Sequence, residues 1–529
     1  MIVLFYLQIL ETLLSLYFIL NISRLYKIII MEIMLNLKPK IPVIEIPKKL
    51  EDTNIVYPLI EPFAYAKIYY NKKRATILYE VLEPALSEDE KKLLDSIKMG
   101  IKDLLFVKLS DIEDYKKAIS YLERLYKILL KELSIKLNKK QYQKIFYYVF
   151  RDIYGYGKIE PLMRDPFIED ISCTGTLSPI YIVHRFFGNL ETNIFFSDEE
   201  EILDIIEKFA LRSKKYISYS DPILDATLPD GSRVNATYSK EITTRGPTFT
   251  IRKFKENPWT PIDLIKLETA SPEMLAYLWL AIEYKRNIII IGGTSSGKTT
   301  FLNAISMFIP PSAKIVSIED TREIKLYHKN WIPSTVKYSS DKSKEIDMFV
   351  LLKEAMRQNP NYLIVGEVRG KEAYVMFQAM ASGHASLSTM HAESTNSLIY
   401  RLTSPPINLS ESLVNLLDIS ILMFHDVSTG RNVRKVKQID EIINSKEYNT
   451  IFYWDPFEKK FKTNYKSHVL YKIHREYGIP YEDIVKELII RSKLLHKLSF
   501  YNLSPEDFFK VINTYYFNKK YILELFKIS

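Results

Sequence analysis

Eight residues, Gly292-Gly293-Thr294-Ser295-Ser296-Gly297-Lys298-Thr299, have the types and spacing to hold a triphosphate. They match G-x-x-x-x-G-K-[ST], a loop whose glycines let backbone N–H groups wrap a phosphate chain. The flanks fit: Ile288 to Ile291 reads as a buried parallel strand, and "TTFLNAISMFI" as the helix that follows. The helix start, Thr299 and Thr300 included, adds a dipole that favours anions. Lys298 should reach the β- and γ-phosphates, and the Thr299 hydroxyl should hold Mg²⁺. The expected ligands are therefore ATP and Mg²⁺.

Two further strands carry acids to the same place. "AKIVSIEDTRE" ends in Glu319 and Asp320, and "NPNYLIVGEVRG" ends in Glu367. In open α/β sheets ligands gather outside the carboxyl ends of the strands. One acid can orient the attacking water and the other can hold the metal; Glu319 is assigned to the water and Glu367 to Mg²⁺, an assignment open to exchange. His384 and His391 frame a third strand, "ASLSTM", and are expected as γ-phosphate sensors. A zinc site is not expected, for no cysteine or further histidine stands at ligand spacing. Arg233, Arg245 and Arg252, in "GSRVNATYSKEITTRGPTFTIRKF", are candidates to offset transition-state charge, worth about 10³–10⁵ in rate. On its strand Arg233 alternates with Val234 and Ala236; Arg252 shares the Thr248/Thr250 face, opposite Phe249 and Ile251.

The elements that must position these groups fall into three blocks after an N-terminal stretch. Residues 1–51 read as a hydrophobic segment and a proline-rich extended arm, the arm's sequence running on through "NIVYPLIEP". Residues 52–138 form a helix-rich first domain. It opens on a hairpin around Asn71 to Arg74, and a later helix carries Leu94, Ile97 and Ile101 on one stripe. Residues 139–256 read as an α+β domain in which Pro229-Asp230-Gly231 joins two short strands. From 257 to 529 strands alternate with helices, the mark of a mostly parallel sheet, and the end is helical and polar.

At 529 residues the chain has room for these domains, and its single cysteine, Cys173, rules out an internal disulfide and a thiolate metal cluster. The net charge of +9 is spread along the chain, without the dense basic stripe of a nucleic-acid channel. The segment Ile2 to Ile22 is long and apolar enough to span a bilayer, with Glu11 as its one charge. Arg24, Lys27, Lys38 and Lys40 after it would keep the remainder on the cytoplasmic side. The competing reading starts the protein at Met31 or Met34.

Taken together, "GYGKIEPLMRDPFIEDI", "LPDGSRVNATYSKEITTRGPTFTIRKF", "GGTSSGKTT", "SIEDTREI", "MRQNPNYLIVGEVRG" and "GHASLSTMHAES" resemble the secretion-superfamily ATPases of type II secretion, type IV pili and conjugation. The archaeal branch that assembles the archaellum and other pilus-like filaments is the most similar. The resemblance runs from about Pro58 to the C-terminus. It implies an α/β fold: a C-terminal RecA-like P-loop NTPase domain preceded by α+β N-terminal domains. It also implies a homohexamer that holds nucleotide between two domains of each subunit. The implied partners are a polytopic membrane platform protein and, through it, pilin-like subunits, at the inner face of the cell membrane. By the same resemblance Glu319 and Asp320 form an acidic box, Glu367 is the Walker B acid, His384 and His391 form a histidine box, and Arg233, Arg252 and Arg245 are arginine fingers. A nucleic-acid translocase on the same core is the alternative. A P-loop kinase or switch is a third, for which two N-terminal domains would be surplus.

Overall fold

A computed structural model describes residues 35–39, 47, 49–104, 114–254, 258–337, 345–426, 433–464 and 466–528. The segment Ile2 to Ile22, the alternative starts Met31 and Met34, and the cations Arg24, Lys27 and Lys40 lie outside the described residues. Among the described residues no helix is long and apolar enough to cross a membrane. The chain divides into two compact units. One takes in the chain up to Asp165 with Thr176–Ile180 and Glu191–Arg212; the other takes in Pro166–Gly175, Tyr181–Leu190 and Ser213–Ser529.

The first unit opens on a meander, β1 (Asn54–Ile60), β2 (Ala64–Asn71) and β3 (Thr76–Leu82), with antiparallel neighbours. The expected hairpin is there, its tip at Lys72 to Ala75. β1, however, occupies the end of the stretch read as an extended arm: Tyr57, Leu59 and Ile60 are buried, and burial against β2 outweighs the one proline in the strand, Pro58. The helix Glu88–Asp103 starts at a Ser87–Glu90 capping box and buries Leu94, Ile97 and Ile101, the predicted stripe.

The second unit carries two layers of strands. β4 (Ile168–Cys173) runs antiparallel to β5 (Pro179–His184) over Ile168 to Ser172. β6 (Gly188–Phe195) follows in the chain, its Glu191 and Thr192 lying parallel to Leu78 and Tyr79 of β3 within the first unit. β7 (Ile223–Thr227) and β8 (Arg233–Thr237) form the predicted hairpin, and β9 (Thr248–Arg252) pairs with both β8 and β4. At its turn Gly231 has φ +88° and lies against the Phe254 ring, so a side chain there would be both strained and blocked. Val234, Ala236, Phe249 and Ile251 are buried, which leaves Arg233 and Arg252 on the opposite face, as their alternation predicts.

The main layer is a nine-stranded sheet. Six strands run parallel in the order β12-β11-β13-β14-β10-β15: β10 (Ile288–Gly292), β11 (Ile315–Glu319), β12 (Trp331–Thr335), β13 (Tyr362–Val365), β14 (Ala385–Met390) and β15 (Ile419–Asp426). Beyond β15 the sheet continues antiparallel through β16 (Val433–Asn444), β17 (Glu447–Asp455) and β18 (Lys460–Thr463). β10 is buried on both faces. Ile288 and Ile290 pack in one core with Trp279, Phe301 and Phe308; Ile289 and Ile291 pack in another with Phe377 and Leu398. A strand covered on both sides must be apolar throughout, which explains the unbroken isoleucine run. This is the α/β, mostly parallel architecture expected, with α+β segments before it.

Candidate nucleotide site

Because β10, β11, β13 and β14 are parallel, their carboxyl ends share one edge. The glycine-rich loop leaves β10 there and enters the helix Lys298–Ser306. Its backbone is unusual: Gly292 has φ +149°, Gly297 +88°, and Ser295, with a side chain, +57°. A Cβ on Gly292 would stand 2.5 Å from the Met423 carbonyl, so only glycine fits where the loop turns off the strand. Ser296 is buried and its hydroxyl donates to the Gly293 carbonyl at 2.9 Å, bracing the loop from within. Thr294 is exposed, and Thr299 and Thr300 stand in the first helical turn. Lys298 folds back over the loop, its Nζ donating to the Gly292 and Gly293 carbonyls at 3.1 and 2.8 Å. Burial, seconded by the charges of Arg252 and Arg369 and opposed by Glu367, lowers its pKa.

Glu319, at the end of β11, is almost wholly buried at 2% exposure. Its Oε1 accepts from the Glu323 and Ile324 backbone N–H groups, both at 2.8 Å, while its buried Oε2 has no hydrogen-bond partner among the described residues. Burial raises the carboxyl to about 7 despite the two backbone donors. Gly366, whose Cβ would lie 3.2 Å from Glu319 Cγ, leaves the room for it. Glu367 follows β13 and is held between Arg369, which donates to Oε2, and His391, whose Nε2 lies 3.0 Å from Oε1. The His391 approach has ion-pair distance without hydrogen-bond alignment. His391 Nδ1 stands 3.5 Å from Lys298 Nζ, and burial with the Lys298 charge keeps the imidazole pKa low.

The arginines are less uniform. Arg233 forks onto Asp225 (3.1 and 2.9 Å) and extends its third nitrogen to Thr321 Oγ1 at 3.1 Å and Asp320 Oδ2 at 3.6 Å. Arg252 is 66% exposed and reaches Glu323 at 3.9 Å. With Asp225, Asn235 and Thr250 the two arginines line a cavity of about 220 Å³. Arg245 is exposed in the loop between β8 and β9; among the described residues it makes no hydrogen bond or ion pair to the groups above. His384 is not brought to this edge. It precedes β14, at the strand's opposite end, about 20 Å of strand from His391, and its Nδ1 lies 2.7 Å from the Pro360 carbonyl. Framing a strand separates two residues; only the one at the carboxyl end can meet the loop.

Sequence reasoning passed over Asp225, Thr321, Glu323, Arg369 and Arg434. Arg369 stands inside a quoted motif, two residues from Glu367, and its charge beside a metal-side acid was a usable signal. Nothing in the sequence points to Arg434, far from the loop it touches.

The donor set suits a nucleoside triphosphate with Mg²⁺. A glycine-shaped cradle opens a helix, an ammonium rests on the loop's own carbonyls, and a buried carboxylate oxygen has no hydrogen-bond partner among the described residues.

Comparison with known proteins adds independent information. The pattern described as "Type II/IV secretion system protein" matches residues 154–421. The uncharacterized protein MJ0900 of Methanocaldococcus jannaschii is 36% identical over 485 residues, covering 85% of this chain and 86% of its own. Type IV secretion system protein PtlH of Bordetella pertussis is 33% identical over 207 residues, 34% of this chain and 60% of its own. Among solved structures, the Legionella pneumophila ATPase DotB aligns at 17% identity over 66% of this chain and 92% of that one, with a TM-score of 0.40, too loose to bear on the reading.

Proposed function

The chain belongs to the type II/IV secretion system protein family, and from that premise we propose that it is an ATP-hydrolysing motor. In this reading it works as a homohexamer at the cytoplasmic face of the cell membrane. Its stroke passes to a polytopic platform protein that assembles a type IV pilus-like filament or drives secretion.

The observation that supports it most is the meeting, at one edge, of the Lys298 loop, two acids on neighbouring strands, and guanidinium groups from a second sheet. Lys298 leaves the loop carbonyls for the β- and γ-phosphates. Glu319 would take a proton from the attacking water, a role supported by its buried, unpartnered oxygen and a pKa of about 7. The Thr299 hydroxyl and the Glu367 carboxylate would hold Mg²⁺, which would supply positive charge beside the phosphates. Arg233 and Arg252 would reach the phosphates from β8 and β9, Arg245 joining them only once its loop moves in, so that turnover would swing that sheet against the parallel one. His391 follows the state of Glu367.

The test is ATP hydrolysis by the full chain with and without Mg²⁺. Lys298→Ala should abolish turnover, and Glu367→Gln should retain bound ATP while hydrolysis falls about 10²-fold or more. Undiminished turnover by Lys298→Ala removes the reading. Stimulation by anionic vesicles supports a membrane-facing motor; stimulation by DNA alone would transfer the chain to the translocases.

A further inference from the structure

The loop that would cradle the phosphates is held from outside by a residue far away in the sequence. Arg434, the second residue of β16, donates from Nε to the Ser295 carbonyl at 3.0 Å. Its two terminal nitrogens fork onto Glu169, NH1 to Oε1 and NH2 to Oε2, each at 2.7 Å. Both ends of this link are unusual backbone. Ser295 is the non-glycine residue of the loop at φ +57°, a conformation that costs free energy unless its surroundings hold it. Glu169 lies where the β4–β5 register slips between Ile168 and Asp170, and such a bulge re-aims a side chain.

The geometry points to Arg434 as a positioning residue that sets the loop's shape and ties it, through Glu169, to the sheet that carries the arginines. Two physical facts support this. In a trans peptide the carbonyl and the next N–H point in opposite directions. Anchoring the Ser295 carbonyl on Arg434 therefore aims the Ser296 N–H away from Arg434, leaving it for a phosphate oxygen. Gly297, next but one after Ser295, has φ +88° and lies within ordinary contact of the Arg434 side chain.

The second fact is register. Asp170, beside Glu169, pairs across the sheet with Arg252, and Arg252 pairs with Arg233. A planar guanidinium with three of its donors committed permits little play. A shift of the loop as phosphate enters is thereby transmitted to β4, and from β4 across one row of residues to both arginines. The Glu169 charge is shared: Arg185, stacked on Trp259, is also stabilised by it and opposed by Arg434. Arg434 thus acts through the geometry of its hydrogen bonds, its charge paired with a carboxylate that Arg185 also draws on.

The inference rests on the proposed ATPase site, and the experiment separates the two. Steady-state ATP hydrolysis and binding of a fluorescent ATP analogue are measured on the full chain for Arg434→Ala, Arg434→Lys, Glu169→Gln and Lys298→Ala, with thermal unfolding of each. Arg434→Ala should raise KM for ATP about tenfold and lower kcat, because loop and link are both lost. Glu169→Gln keeps the Ser295 bond and should lower kcat about fivefold with KM within about twofold. Arg434→Lys, able to hold one partner but not both, should fall between. If Lys298→Ala is inactive while Arg434→Ala and Glu169→Gln keep both constants within about twofold of the parent, the positioning role is overturned and the site stands. If Lys298→Ala remains active, the site itself fails. Should Arg434→Ala not fold, the KM-against-kcat split of Arg434→Lys and Glu169→Gln decides, and equal loss in both constants for the two variants overturns the inference.

Discussion

Two clusters of buried charge, one in each unit, make an instructive contrast. In the first unit one terminal nitrogen of Arg151, NH1, donates to both oxygens of Glu83 at 2.9 Å, and its Nε donates to Asp152 at 2.8 Å. Tyr147 donates to Glu83 at 2.5 Å, and Lys98 closes the other side of Asp152 at 3.3 Å. Burial disfavours the charges of Arg151 and Asp152, yet their partners more than offset it, so the arginine pKa is raised and the carboxyl pKa lowered. At the candidate nucleotide site the balance is reversed. Burial prevails, the Glu319 carboxyl rises to about 7, and the pKa values of Lys298 and His391 fall. A network that only holds a fold saturates its charges; one that must receive a ligand leaves capacity open.

The largest expected effect breaks the saturated side. Arg151→Ala strands Glu83 and Asp152, and denaturant unfolding should show a loss of about 3–5 kcal/mol. ATP turnover per folded molecule should be unchanged. A loss below about 1 kcal/mol would mean the cluster is looser than its distances say.

The next sharpens the open side. Glu319 binds its proton more tightly folded than unfolded, since its pKa rises from 4.5 to about 7. The protonated form's contribution is complete below about pH 4.5 and is lost as pH rises to about 7, some 3 kcal/mol in all. Glu319→Gln should abolish that part of the pH dependence, measured by unfolding at pH 5 and pH 8, while turnover falls about 10²-fold. An unaltered pH profile would show that the carboxyl is solvated.

The smallest effect tests the space beside Glu319. Gly366→Ala brings a methyl 3.2 Å from Glu319 Cγ, and should cost about 1 kcal/mol in stability and about fivefold in kcat. Wild-type turnover would show that the carboxylate yields freely.

Local signals were enough for much of this. The isoleucine run and the glycine loop identify β10 and the helix after it. The alternation in "SRVNAT" and "TFTIR" puts Arg233 and Arg252 on the face away from Val234, Ala236, Phe249 and Ile251, as found. Proline content concealed β1, because a strand's burial against its neighbour has no local signature. His384 and His391 look equivalent in sequence, yet a parallel strand has two ends, and only the sheet's polarity says which end meets the loop.

What the sequence determined by itself was therefore the set of chemical groups and the elements bearing them, since periodicity and loop composition act over a few residues. What tertiary structure alone decided was which groups meet and in what state. Glu319 owes its raised pKa to walls built from other strands. The Ser295 carbonyl meets Arg434, 139 positions along the chain, through sheet pairing that no short-range pattern encodes, because desolvation and hydrogen bonding depend on separation in space.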